Sequence, residues 1–416
     1  MIIKRKIKKE ITEHLSAREI TLIAGARQIG KTTLLLEIQN EFLQQGEKVL
    51  FLNLDNDSHL PFFQSQEMLL QKIRLEIGED GYVFMDEIQR LENAGLFLKG
   101  LYDRNLPYKM VVSGSGSLEL KEKIHESLAG RKRIFEMMPV SFQEFANFRT
   151  GYKYETRLPL YFETEKQQTL LMLNEYLNYG GYPRIVTETR SSEKLKLMDE
   201  IFRSYVEKDL VYLLKIERPE VFQLLIRILA SQTGNLVNYS QLASQTGLSV
   251  PTLKKYLWYA EKTFSISQIT PWYSNTLKEI TKSPVYYFHD MGLRNYSVNL
   301  MGNMELNQQY GFVFQNFVWL LLKDMLRWKN HTLHYWRTTD KAEVDFVISK
   351  HDSVLPVEVK YGIMDKPAVS RSFRSFIEKY NPPEAWLVNR NFEHEITINQ
   401  TRVMFLPFYK LMAFST

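Results

Sequence analysis

The chain has 416 residues, 44% hydrophobic and 24% charged, a composition that excludes disorder and fibrous repeats and has room for two or three globular domains. It contains no cysteine, which excludes disulfides and thiolate metal sites and makes a cytoplasmic location the best fit. Net charge is +5, from 53 Lys and Arg against 48 Asp and Glu, too mild for a general polyanion binder, so any DNA-binding surface must be a local patch.

The N-terminus is basic (Lys4, Arg5, Lys6, Lys8, Lys9), but no apolar core or small-residue cleavage site follows, so it does not read as a signal peptide. No apolar run reaches membrane-spanning length, and no membrane partner is expected. The first strong element is a short apolar strand at residues 20–24, which enters Gly25-Ala26-Arg27-Gln28-Ile29-Gly30-Lys31-Thr32 and then a helix-like stretch over 32–45. Strand, glycine loop and helix in that order give the P-loop pattern its meaning. Backbone N–H groups of such a loop turn inward around a β-phosphate, and the helix N-terminus adds partial positive charge. Lys31 can reach the β and γ oxygens and Thr32 can ligate Mg²⁺, with Thr33 as a secondary contact. ATP and Mg²⁺ are the cofactors expected.

Further strands are predicted at 49–54 and at 82–85, with a helix over 66–77 between them. The second strand ends in Asp86-Glu87, which suits Asp86 to the Mg²⁺ shell and Glu87 to polarising the attacking water as general base. A strand at 110–112 runs into Ser113-Gly114-Ser115-Gly116-Ser117. Ser113 and Ser115 are candidates for sensing the γ-phosphate, the alternative being a solvated loop. Arg131 and Arg133 follow in a basic loop, and either can supply an arginine finger to this site or a neighbour's, Arg131 being the favoured one, against the alternative that both face water. Alternating strands and helices predict an α/β domain with a parallel sheet over residues 1–150.

Residues 151–230 read as a helical connector, broken at Gly180-Gly181-Tyr182-Pro183, where two glycines and a proline cannot continue a helix. Within 231–300, residues 239–257 have helix-turn-helix form: Ser240 is expected to cap the first helix, Gly247 to make the turn and Ser249 to cap the second, while Val250, Leu253 and Leu257 line the core. Thr252, Lys254, Lys255 and Tyr256 are left for the recognition face, where lysines would meet DNA phosphates; the other reading is a structural lid.

Residues 301–416 read as a third α/β unit: one helix, three strands, a helix and two more strands. Glu358 and Lys360 lie two apart on one strand and so share a face, and Asp345 on the neighbouring strand can join them. Two carboxylates and a lysine around a metal ion form the arrangement of restriction-endonuclease-like nucleases, against the alternative of a structural ion-pair cluster. Those nucleases usually add a glutamate from the preceding helix, where this chain has Gln315, a neutral amide that weakens Mg²⁺ binding.

Together with the P-loop and Asp86-Glu87, four stretches carry a family resemblance: Leu128-Ala129-Gly130-Arg131 leading to Pro139-Val140-Ser141-Phe142-Gln143-Glu144-Phe145, Gly180-Gly181-Tyr182-Pro183, Tyr335-Trp336-Arg337, and Glu343-Val344-Asp345-Phe346. The chain resembles prokaryotic AAA-type ATPases that join a P-loop domain to a restriction-endonuclease-like C-terminal domain. The resemblance spans nearly the whole chain and implies an ATPase core, a winged helix, a nuclease-like fold and assembly as a homo-oligomer. The leading expectation is an ATPase working on duplex or branched DNA, the alternatives a signalling-type switch on a protein partner or an ATP-gated nuclease.

Overall fold

The structure, a computed structural model, describes residues 2–115, 128–207, 211, 216–273, 283–303, 310–350 and 353–415. Contacts divide the chain into two compact units, each assembled from three stretches of sequence.

Unit 1 comprises Met1–Glu144, Tyr182–Glu220 and Tyr256–Ser265. Its centre is a five-stranded sheet in the order β2-β3-β4-β1-β5, built from β1 (Ile20–Gly25), β2 (Val49–Asn53), β3 (Gly81–Asp86), β4 (Tyr108–Ser115) and β5 (Lys132–Glu136). All four pairings are parallel. Helices α2 (Lys31–Gln44), α3 (Gln66–Ile77) and α4 (Ala94–Asp103) make the crossovers, and α1 (Ile7–His14) precedes the sheet. With helices on both faces, a central strand has no polar side, which is why all six residues of β1 are buried.

Alternate residues still sort by face. Ile20 and Leu22, Leu50 and Leu52, Val83 and Met85, and Met110 and Val112 join one cluster with Leu69, Leu70 and Ile73 of α3 and Leu98 and Leu101 of α4. Ser65 caps α3 by accepting from Met68 N at 3.1 Å. Lys132 and Arg133, expected in a basic loop, instead open the edge strand β5, with Lys132 opposite Ile20 and Arg133 opposite Thr21.

Unit 2 comprises Phe145–Gly181, Val221–Lys255 and Ile266–Thr416. The helix Lys166–Tyr179 stops at Gly180, as the sequence requires. Asp290 N-caps the helix Met291–Ser297 by accepting from Leu293 N at 2.8 Å, and its other oxygen accepts from Gly181 N at 2.7 Å. Strands β6 (Ile266–Ile269) and β7 (Val285–Phe288) form an antiparallel pair. A six-stranded mixed sheet follows in the order β12-β13-β11-β10-β9-β8, made of β8 (Thr332–Arg337), β9 (Glu343–Lys350), β10 (Ser353–Lys360), β11 (Glu384–Asn389), β12 (His394–Ile398) and β13 (Thr401–Pro407). Three strands therefore follow the helix Arg371–Tyr380, one more than the sequence suggests. That helix packs Phe373, Phe376 and Ile377 on Val344, Val347, Leu387 and Phe405 of the sheet. Among the described residues, no helix is long and apolar enough to cross a membrane.

Candidate functional site

Parallel pairing brings the C-terminal ends of β1, β3 and β4 side by side, where α/β sheets gather their chemistry. Gly25 closes β1 in register with Ser115 at the end of β4. A Cβ on Gly25 would lie 2.3 Å from Met137 O and 2.5 Å from Ile29 Cδ1, so only glycine lets the loop pack here. Gly30 has φ +92° and precedes α2 with no side-chain cap. The loop thus arrives at α2 with first-turn N–H groups that a phosphate can satisfy.

Lys31, only 5% exposed, donates to Gly25 O at 3.1 Å and Ala26 O at 2.8 Å. The Thr32 hydroxyl donates to Asp86 Oδ2 at 2.6 Å, and the Ser113 hydroxyl to Asp86 Oδ1. Asp86 is wholly buried between them. Ser115 Oγ is buried and makes no hydrogen bond, an open polar position at the centre of the site. A hydroxyl and a carboxylate in contact suit Mg²⁺, which keeps most of its waters and takes few protein ligands. Arg27 and Gln28 of the loop are half-buried, Ala26 and Ile29 are buried, and Thr33 is exposed on the first turn of α2. Gly116 and Ser117 lie outside the described residues.

Three nearby contacts were not foreseen in the sequence. Glu87 has φ +58° and ψ +39°, a left-handed conformation that costs a non-glycine residue about 1 kcal/mol or more, and its carboxylate accepts from the Gln89 amide. Arg5 reaches the loop from the N-terminal segment, donating to Ile29 O at 2.9 Å and Met138 O at 2.5 Å and pairing with Glu144 at 3.3 Å. Arg184, directly after the Gly-Gly-Tyr-Pro break, donates to Gln28 Oε1 at 3.0 Å and to Glu200 at 2.9 Å. The only sequence signal for Arg5 was the basic N-terminus. Gln89 and Arg184 carried none.

Arg131 is not part of this constellation. It precedes β5 at the opposite end of the sheet, where its carbonyl accepts from Ile20 N at 2.9 Å, and its guanidinium pairs with Asp103 at 2.7 Å.

In unit 2, the antiparallel pairing of β9 with β10 sets Val357 opposite Phe346 and so brings Glu358 beside Asp345. Gln315, from the helix Tyr310–Leu326, donates to Asp345 Oδ1 at 2.9 Å, and Val359 N donates to Oδ2 at 2.7 Å. Glu358 accepts from Ser370 at 3.1 Å and pairs with Lys360 at 2.7 Å. The four residues singled out in the sequence do meet, but every carboxylate oxygen already has a donor within the protein. Burial, with the charges of Glu358 and Glu343 adding to it, pushes the Asp345 carboxyl up to about 7. Among the described residues, no three His, Cys, Asp or Glu side chains form a group able to hold a metal ion. As arranged, these residues form a closed cluster of hydrogen bonds and one ion pair.

The helix pair Tyr239–Thr246 and Val250–Lys262 is present, with Gly247 left-handed between them at φ +63°. Asn238, not Ser240, caps the first helix by accepting from Gln241 N at 3.0 Å. Ser249 caps the second, accepting from Thr252 N at 3.2 Å. Lys254 and Lys255 are exposed, and Lys254 Nζ sits 5.1 Å over the Tyr239 ring. Thr252 is half-buried with its hydroxyl 2.8 Å from that of Ser249. Tyr256 is 6% exposed, so it is a packing residue and not part of an open recognition face: on a helix it falls three positions from Leu253, on the same inward side.

Comparison with known proteins agrees with this arrangement in part. Residues 17–146 match a family model described as an AAA domain, 171–303 match a domain of unknown function (DUF8612), and 310–411 match another (DUF4143). An uncharacterized protein of Methanocaldococcus jannaschii is 27% identical over 347 residues, 82% of this chain and 75% of the relative. One of Haemophilus influenzae is 25% identical over 377 residues, 87% and 88% of the two chains. Among solved structures, the Aeropyrum pernix ORC1 protein in complex with DNA is similar at 11% identity and TM-score 0.32, covering 72% of this chain and 93% of that one. AMPPCP-bound DnaA from Aquifex aeolicus is similar at 14% identity and TM-score 0.30, covering 63% and 90%. The AAA match covers all five strands of the unit 1 sheet. This part of the chain is similar to an AAA domain.

Proposed function

We propose that the protein is a Mg²⁺-dependent ATPase whose nucleotide state governs its hold on DNA. The observation that carries the ATPase reading is the convergence of Lys31, Thr32, Asp86, Glu87, Ser113 and Ser115 at one end of the parallel sheet. Lys31 would exchange the Gly25 and Ala26 carbonyls for phosphate oxygens, an exchange of like partners that costs little. N–H groups of residues 28–32 would cap the phosphates. Thr32 and Asp86 would hold the Mg²⁺, which neutralises charge developing on the phosphoryl oxygens. Glu87 would take a proton from the attacking water, and the Ser115 hydroxyl would donate to the reacting phosphate.

The DNA part rests on the exposed lysines of the second helix, placed to meet phosphates. Arg131 stands at the far end of its own sheet, so its role as a finger belongs to a neighbouring copy, and the homo-oligomer this requires is part of the proposal. A protein-partner switch is the second reading, favoured by one observation: with Tyr256 buried and Lys254 over Tyr239, the recognition face offers few free cations.

Steady-state ATP hydrolysis by wild type and Lys31→Ala, without DNA and with single-stranded, duplex and four-way-junction DNA at two salt concentrations, is the test. Stimulation by one DNA form that weakens with salt supports the DNA reading. Hydrolysis unchanged by every DNA shifts the conclusion to the protein partner. Equal rates for wild type and Lys31→Ala refute the site.

A further inference from the structure

Gln89 lies in the single turn Ile88–Arg90 directly after β3. Ile88 is wholly buried in the sheet's core cluster, which pins the turn and fixes where the next side chain can reach. The Gln89 carboxamide has two partners. Its Nε2 donates to Glu87 Oε2, and its Oε1 accepts from Ser115 N at 3.2 Å. The orientation of the amide follows from chemistry alone: a backbone N–H can only donate, so the atom facing Ser115 must be oxygen, which leaves the NH₂ to the carboxylate.

Ser115 N needs a partner because of the topology. Pairing of β3 with β4 ends at Met85 opposite Val112, so the last residues of β4 have no ladder neighbour on that side. Gln89 supplies with a side chain the acceptor that the sheet no longer provides. The same residue therefore terminates the hydrogen bonding of β4 and holds the carboxylate proposed as general base. The Ser115 hydroxyl itself is buried without a hydrogen-bond partner.

We propose that Gln89 is a positioning residue that couples Ser115 to Glu87, so that engagement of the Ser115 hydroxyl by the terminal phosphate sets the aim of the Glu87 carboxylate. The left-handed backbone at Glu87 gives the carboxylate no second route to its place, since a relaxed backbone would turn the side chain elsewhere. This inference rests on the ATPase reading of the site.

The test compares wild type, Glu87→Gln, Gln89→Ala and Gln89→Glu in steady-state hydrolysis between pH 5.5 and 9, with binding of a fluorescent ATP analogue and thermal melting measured in parallel. Gln89→Ala is expected to lower kcat by tenfold or more while nucleotide affinity and melting temperature stay within about twofold and a few degrees of wild type. Gln89→Glu sets a second carboxylate against Glu87, which disfavours ionisation of the pair. The acid limb of its kcat profile should move to higher pH by at least one unit, a change that mere support of the fold would not produce. If both variants keep kcat and the acid limb of wild type, or if kcat, affinity and melting temperature fall together, the coupling role is overturned. If wild type turns over no faster than Glu87→Gln, the base assignment fails first and takes this inference with it.

Discussion

Asp290 is 3% exposed and holds Gly181 N and Leu293 N on its two oxygens. Burial dominates these bonds and a third backbone bond from Gly292, and pushes the carboxyl from 3.8 to about 6. The folded-state value lies above the unfolded one, so the native protein binds the extra proton between these limits. Its contribution to stability is complete below about pH 3.8 and is lost as pH rises through about 6. A shift of roughly two units amounts to about 3 kcal/mol. Asn at this position cannot ionise; it keeps one acceptor oxygen, while its NH₂ cannot accept from the N–H group held by the other oxygen. Asp290→Asn should therefore start with a fixed cost for that lost bond and gain on wild type by about 2 kcal/mol between pH 4.5 and 7.5, on the order of 1 M in the urea midpoint. Tryptophan fluorescence suits the measurement, because Trp272, Trp319, Trp328, Trp336 and Trp386 lie in unit 2 with Asp290 and only Trp258 lies in unit 1. A variant less stable than wild type by the same margin at every pH would refute the reasoning, because burial would then not outweigh the backbone N–H groups.

Arg5→Met removes charge-assisted bonds to Ile29 O and Met138 O and strands Glu144; the KM for ATP should rise about tenfold, with a lower melting temperature, in parallel kinetic and calorimetric runs. Arg184→Ala frees Gln28 from an exposed contact, so affinity for a fluorescent ATP analogue should fall two- to threefold with melting unchanged. Gln315→Glu adds the third carboxylate beside Asp345 and Glu358, and calorimetric titration with Mn²⁺ should show binding that wild type lacks, strengthening as pH rises through 7, where Asp345 ionises.

The grouping of the proposed nucleotide-site residues at one end of the sheet was legible because each part carries a local signature: apolar runs, glycines where a side chain will not fit, and polar residues at strand ends. The parallel sheet followed from the same alternation. Strand β5 was hidden because an edge strand needs only one apolar side, and its alternation in Lys-Arg-Ile-Phe-Glu is masked by charge. Tyr256 was misplaced because a tyrosine beside two lysines reads as surface until the rotation of the helix is known. Gln89 and Arg184 were invisible, and Arg5 showed only as part of a basic N-terminus, because each has among its partners a backbone atom or an amide, and neither leaves a mark in the residue pattern. Gln315 was seen, but not that its amide would donate to Asp345.

The division of the chain into interleaved stretches sets a limit on how it can be made and dissected. Unit 1 is not complete until residue 265 has been synthesised, by which time two of the three stretches of unit 2 have already emerged. Nascent chain must therefore wait with both cores unfinished, an interval in which apolar strands are open to wrong pairing. Neither half can be excised as one continuous fragment, and a cut at residue 150 removes from unit 1 two of the stretches that build it.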